Sequence, residues 1–295
     1  MSKNKQHLNI LCELPDMEKL FIADAGARYG MHPMFRPLQT DFEYYGFDPD
    51  AQEINRLKKK YEKKNSFNFF PFALGKANKK VPFYFTKHAG LNSLLRPDPN
   101  SYWNKYIRPK ESKIIRRKIA SQIRLDDYML NRKIDLDYIK TDTEGADLRV
   151  LQGAGKILGR VVGIRCEAVF QENQKRAAEF PAIHQFLARK GFFLLNLEYT
   201  GRGSPFSYLH GIGPCGALLA SDAIYLKKPE KLKQISKIKQ IKAIIFCFIS
   251  GAPDIGLFLL KEIPSKTLQK FPKLLQLTEK LFLKEAIAVK TSRLS

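Results

Sequence analysis

The run Lys19-Leu20-Phe21-Ile22-Ala23-Asp24 stops at an acid and breaks into Ala25-Gly26-Ala27-Arg28-Tyr29-Gly30, and no other stretch constrains the fold as strongly. A short apolar run closed by a glycine-spaced turn reads as a buried strand followed by a ligand-binding loop, where glycine lets backbone approach the ligand. Open α/β sheets bind ligands outside the carboxyl ends of their strands, so the expected frame is a mostly parallel sheet with its crevice here. The spacing is D-x-G-x-x-x-G, not the G-x-G-x-x-G that cradles a pyrophosphate. An acid at the strand end suits a cationic ligand better than a phosphate. An ordinary strand-turn-helix junction looks the same, so the loop alone does not decide the matter.

The chain has 295 residues, enough to bury a large core as one α/β domain with or without an appendage. Its four cysteines, Cys12, Cys166, Cys215 and Cys247, form no C-x-x-C pair, so neither a zinc site nor a disulfide framework is expected. No apolar leader precedes Asp16, and a cytoplasmic location is the expectation. A net charge of +22 implies attraction to polyanions: nucleic acid, anionic lipid or phosphorylated substrates. General lysine enrichment explains it equally well.

Along the chain, Glu43 to Asp50 reads as a second strand ending in acids. Asp48 follows Asp24 by 24 residues, near the offset of a ribose-binding carboxylate. Asp50 is placed to cap a helix over Ala51 to Lys63. Phe67 to Gly75 reads as a third strand, Val81 to Thr86 as a short aromatic strand, and His88 to Asn100 as a long loop of the kind that forms lids. Trp103 to Arg117 is polar and basic, Ser121 to Asp127 strand-like. Asp135 to Gly145 is a strand and loop, Val161 to Phe170 a strand, and Arg176 to Lys190 a helix stopped by Gly191. Phe192 to Tyr199 and Ala217 to Leu226 close the series as two strands with no helix between them, which predicts a terminal antiparallel strand. His184, within a predicted helix, reads as a packed or surface residue. The alternation ends at Lys227, so residues 1–228 are expected to form the ligand-binding domain and 229–295 a lysine-rich helical extension. The apolar span Ile241 to Leu260 is interrupted by Lys242, Pro253 and Asp254, which favours a helical cap on the core over a membrane span.

The loop Lys140-Thr141-Asp142-Thr143-Glu144-Gly145 belongs at the carboxyl end of a strand neighbouring the first, where strand order reverses, so its acids face the crevice of Asp24 and Gly26. Together with Leu125-Asp126-Asp127 and Val150-Leu151-Gln152-Gly153-Ala154, it resembles the FkbM-type methyltransferases, marked by an L-D-D stretch, K-x-D-x-E-G and a V-L-x-G-A helix. Ala73-Leu74-Gly75 and Asn92-Ser93-Leu94 also fit, and the resemblance runs in order from Phe21 to Phe170. It implies a Rossmann-like fold that uses S-adenosylmethionine, whose ammonium and sulfonium are the cations an acidic strand end suits, and in most members O-methylation. By position, Asp24, Gly26 and Gly30 would hold the methionine part, Asp48 the ribose and Ala73 the adenine surroundings. Asp142 and Glu144 would lie nearest the methyl group and the acceptor. The chain departs from the pattern at the bulky Arg28-Tyr29, at His32 to Thr40, which lacks a helical look, and in the lysine-rich C-terminal segment.

Methyl transfer asks mainly for in-line positioning, with effective molarities corresponding to about 7–11 kcal/mol. A hydroxyl acceptor must also lose a proton, and Asp142, Glu144 and Glu167 are the candidate bases, with His88 and His210 on loops. Alternatives are that Asp142 accepts only the cofactor ammonium, that Glu144 caps the next helix and that Glu167 pairs with a lysine. Clustered carboxylates can hold a divalent metal, but no histidine stands in the motif and none is expected. The Pro214-Cys215 pair is out of place for a cytosine C5 methyltransferase nucleophile. The favoured function is O-methylation of a glycan, lipid-linked sugar or secondary metabolite. Its rivals are an RNA or protein methyltransferase, and a non-catalytic module binding an anionic membrane or a partner through its basic tail.

Overall fold

Pro71 decides the first departure from that reading: with no N–H to donate it ends the strand begun at Phe67, and the chain crosses to a second sheet. The structure is a computed structural model and describes residues 19–38, 41–203 and 216–269. Its strands are β1 (Leu20–Ala25), β2 (Phe42–Phe47), β3 (Phe67–Phe70), β4 (Ala73–Leu74), β5 (Lys79–Thr86), β6 (Ile114–Ile123), β7 (Tyr138–Thr141), β8 (Gly163–Val169), β9 (Phe192–Gly203) and β10 (Ala217–Lys227). The main helices are α1 (Ala51–Lys60), α2 (Leu125–Asn131), α3 (Asp147–Gly153), α4 (Phe180–Arg189), α5 (Pro229–Leu232), α6 (Lys237–Ile249) and α7 (Pro253–Lys261).

Seven strands form the central sheet in the order β3-β2-β1-β7-β8-β10-β9. All neighbours are parallel except β10, which inserts antiparallel between β8 and β9. Strand order reverses between β1 and β7, which opens the crevice. A three-stranded sheet, β4-β6-β5, stands beside it. β6 covers Ile114–Ile123, much of it in the run read only as polar and basic. Leu125 to Asp127 opens α2 instead of extending a strand. Helix α1 stops at Lys60, short of Lys63, with Asp50 capping it by accepting the Gln52 N–H. Helix α4 starts at Phe180, later than Arg176, with Pro181 in its first turn.

One face of the sheet is covered in the usual way, by α2, α3 and α4 packed on Ala23, Ile139, Ile164 and Ala223. On the other, the connection between β1 and β2 contains only a single 3-10 turn, Pro33–Phe35, among its described residues. Helix α6 covers that face: Ile241, Ile244, Ile245 and Phe246 pack with Leu20, Ile22, Tyr44, Tyr138 and Ile224. Gly163 makes the approach possible, since a Cβ there would lie 2.4 Å from the Phe246 ring, and the Tyr138 hydroxyl donates to the Lys242 carbonyl at 2.6 Å. The described part of the lysine-rich segment is therefore packed into the core as a cap.

Two of its lysines are buried as well. Lys239 and Lys242 reach the fully buried Asp137 at 2.7 and 2.9 Å, and Asp137 also accepts the Phe21 N–H at 2.8 Å. A buried carboxylate with two cations and a backbone donor is a charge-matched structural cluster. These positive charges face inward and are not offered to a polyanion. No helix among the described residues is long and apolar enough to cross a membrane.

Candidate active site

A cavity of about 330 Å³ opens over the carboxyl ends of β1, β2 and β7. Gly26, Asp48, Asp142 and Glu144 line it from the central sheet, and Ala73, Phe83, His88 to Leu94 and Trp103 from the second sheet and the segments beside it. The loop read as a lid segment is thus a wall of the cavity. Gly26 sits at φ +79°, and a Cβ there would come within 1.8 Å of the Asp142 carbonyl oxygen. Only glycine allows the first loop to pass this close to the Asp142 backbone.

Lys140 joins the two loops. Its ammonium lies 3.0 Å from Asp24, 3.4 Å from Asp142 and 3.2 Å from the Gly26 carbonyl, to which it donates. Burial works against its charge, but Asp24 and Asp142 hold its pKa above the ordinary lysine range. Asp24 itself is fully buried and accepts a hydrogen bond from the Tyr44 hydroxyl at 2.6 Å. Burial raises its pKa to about 6 despite Lys140 and Tyr44. Asp24 and Gly30 are not part of the cavity lining; Asp24 lies behind it, tied through Lys140 to Asp142, which is. Gly30 serves a tight turn at φ +90°, where a Cβ would press on Tyr61 at 2.8 Å.

Arg28 and Tyr29, which the family pattern leaves unexplained, fasten this loop to the next. The Arg28 guanidinium lies 2.6 Å from Asp50 and 4.0 Å from Asp48, and the Tyr29 N–H donates to Glu53 at 3.0 Å. Asp48 is nearly buried and accepts the Asp50 N–H at 2.8 Å; burial raises its pKa to about 6.

Beyond Asp142 the carboxylates gather. One oxygen each from Asp142, Glu144 and Glu167 lies within 4.8 Å of the others, the only such group among the described residues and one able to hold a hard divalent cation. Glu144 has φ +54°, a strained backbone for a residue other than glycine, and Gly145 follows at φ +88°. Glu144 does not cap α3, whose N-cap is Ala146. Among the described residues Glu167 makes no lysine pair, and its Oε2 is buried without a hydrogen-bond partner. Burial, then the neighbouring carboxylates, pushes both glutamates well above the usual range. The Ser93 hydroxyl holds this loop by donating to the Glu144 carbonyl at 2.8 Å.

His32 also stands here, a residue that no sequence motif singles out. Burial, then the charges of Arg165 and Lys140, lowers its pKa to about 4. Its Nδ1 accepts the Met34 N–H at 3.2 Å, so the neutral ring carries its proton on Nε2 and presents a donor. Nearby, Arg165 is buried between Glu198 and Asp222, 2.7 Å from each. His88 lines the cavity from its exposed loop, whereas His184 packs against Tyr225 on α4. The Cys166 thiol is raised by burial and stays protonated. His210 and Cys215 lie outside the described residues.

The remaining motif residues hold the walls together. Asp126 accepts the backbone N–H groups of Lys156 and Ile157 at 3.0 Å each. A Cβ at Gly153 would lie 2.0 Å from the Gly75 carbonyl, so helix α3 meets the Ala73-Leu74-Gly75 turn backbone to backbone.

A seven-stranded sheet of this order with a crevice at the reversal point defines a Rossmann-like class I methyltransferase. The methyltransferase FkbM domain model matches residues 24–194, more than half of the chain. The chain belongs to the FkbM methyltransferase family, and S-adenosylmethionine is its cofactor. Among curated proteins nothing matches it. Solved structures similar to it include an rRNA methylase from Streptococcus thermophilus, 11% identical over 77% of this chain and 98% of that one, with a TM-score of 0.36. A precorrin-6y C5,15-methyltransferase from Geobacter metallireducens is 10% identical over 77% and 91%, also with a TM-score of 0.36. The family assignment does not rest on these.

Proposed function

We propose that the protein methylates a hydroxyl group, on a glycan, a lipid-linked sugar or a secondary metabolite. The observation that carries this reading is the gathering of Glu144 and Glu167, both held protonated beyond the usual carboxylate range, beside a cavity that fits the cofactor. Gly26 provides the close backbone approach, Asp48 a nearly buried acid for ribose hydroxyls, and Ala73 with Leu74 an apolar surface for adenine. Asp142, tethered by Lys140, takes the charged methionine end. When bound, the cofactor supplies a sulfonium-activated methyl group. The protein's own contribution is orientation and a proton acceptor, and a carboxylate titrating nearer neutrality is the better general base.

Glu144 lines the cavity and is the base in this reading, its proton affinity raised by burial and by Asp142 and Asp147, with Glu167 gathered beside it as the carboxylate that can share its proton. Titration calorimetry with S-adenosylhomocysteine tests the cofactor assignment. Wild type should bind saturably, and Asp142→Ala should weaken binding about tenfold, ~1.4 kcal/mol. Absence of binding, or equal binding by the variant, would overturn it.

A further inference from the structure

A second hollow, of about 360 Å³, adjoins the cofactor cavity, and Leu94 lines both. Its wall carries Lys76, Lys79, Arg96, Arg149, Lys175 and Arg176, and no carboxylate. None of these six lies within ion-pair distance of an acid among the described residues. The contrast with nearby cations is sharp: Arg108 pairs with Glu111 at 2.8 Å and Arg124 with Asp126 at 2.9 Å.

The six come from separate segments that the fold brings together. Lys76 and Lys79 flank the turn after β4, whose Ala73 and Leu74 line the cofactor cavity. Arg96 continues the loop that holds Glu144, and its carbonyl accepts the Lys175 N–H at 2.8 Å. Arg149 projects from α3, the helix directly after the Glu144 loop, and donates to the Arg176 carbonyl at 3.3 Å. Arg176 is held at φ +66°, a left-handed backbone costly for arginine. Gly145 leans on Ala177 and Leu95, so the Glu144 loop is packed on the residues that flank Arg176 and Arg96.

Unpaired cations converging on one concavity repel each other, and the charge of Arg149 is disfavoured by burial and by Arg176. Such a cluster is stabilised by an anion, and guanidinium pairs match phosphate oxygens in a fork geometry. We infer that this crevice binds a phosphate or diphosphate of the methyl acceptor, which is accordingly a small phosphate-bearing molecule of the sugar-phosphate kind. A bounded hollow fits a compact phosphate better than the continuous backbone of a nucleic acid, which calls for an extended basic track. The word acceptor here rests on the methyltransferase reading above, whereas the anion site itself does not.

The test uses the full chain and inorganic pyrophosphate as probe, with S-adenosylhomocysteine titrated separately. Wild type should bind pyrophosphate saturably, and Arg149→Gln combined with Arg176→Gln should weaken this about tenfold while leaving S-adenosylhomocysteine affinity within about twofold. Lys79→Gln, at an exposed strand end, should weaken it in the same direction without affecting the fold. No pyrophosphate binding, or binding indifferent to these substitutions, overturns the anion site. Single-stranded RNA that binds more tightly as it lengthens, and loses affinity in the same variants, overturns the compact-acceptor assignment. Pyrophosphate binding without S-adenosylhomocysteine binding would leave the crevice and remove the methyl-transfer reading; the reverse result would do the opposite.

Discussion

Asp137 precedes β7, and at the carboxyl end of that strand Asp142 and Glu144 gather with Glu167 of the neighbouring β8; the two carboxylate clusters flank one strand, and their surroundings differ completely. Asp137 faces two lysine ammoniums and a backbone N–H, so its charge is matched. Among the described residues the trio has one cation within ion-pair distance, Lys140 on Asp142, and Lys140 is shared with Asp24. Matched charge ties α6 to the sheet, whereas unmatched charge raises proton affinity and leaves carboxylates able to exchange protons with a ligand. Burial alone does not separate structural from functional acids; the local balance of charge does.

The comparison can be broken at three points. The largest effect is expected from Asp137→Ala, which leaves Lys242 a buried cation without its carboxylate and Lys239 with Asp135 alone, and should cost about 3–5 kcal/mol. Urea unfolding measures it, and a loss below about 1 kcal/mol would mean that the cluster does not hold α6 in place. Next is Glu144→Gln, which should lower turnover about 100-fold, ~2.7 kcal/mol, with little change in S-adenosylhomocysteine affinity or stability. Because the base must be deprotonated, wild-type activity should rise with pH above the usual carboxylate range, and this rise should flatten in the variant. Unchanged turnover would remove Glu144 from the role.

The smallest effect is expected from Asp48→Asn. The Asp48 pKa is raised by burial from 3.8 to about 6, so between these values the native state binds more protons than the unfolded chain. Stability contributed by this group is therefore present at low pH and lost as pH rises through about 6. The asparagine variant lacks that loss, and should be about 1–2 kcal/mol more stable than wild type near pH 7.5 with no advantage near pH 3.5. Denaturant midpoints at the two pH values decide it, and an equal difference at both would disprove the titration argument.

Much of the frame was legible because it depends on local pattern. Apolar runs ending in acids or glycines marked β1, β2 and β7, and the order of motifs marked the sheet type. The break at Pro71 is hidden inside a continuous apolar run, and the pairing of β6 with β5 is hidden because basic side chains on an exposed strand conceal alternation. The site was legible in part: Gly26, Asp48, Ala73, Asp142 and Glu144 do line one cavity. The roles of Lys140, Arg28 and His32 are not legible in the sequence: Lys140 stands in the motif and Arg28 marks a departure from the family pattern, but a lysine in a strand, an arginine in a turn and a histidine in an irregular connection carry no signal of their partners.

By itself the sequence determined which segments could form strands, where glycine lets backbone pass closely, and which carboxylates end up at strand termini, because those properties are set by neighbours along the chain. Tertiary structure decided which charges are matched. It put Lys239 and Lys242 on Asp137 across more than a hundred residues, gave Lys140 to both Asp24 and Asp142, and left six cations around a hollow without an acid. The reason is physical: electrostatic energy depends on distance in space and on exclusion of water, and neither is written in the order of residues.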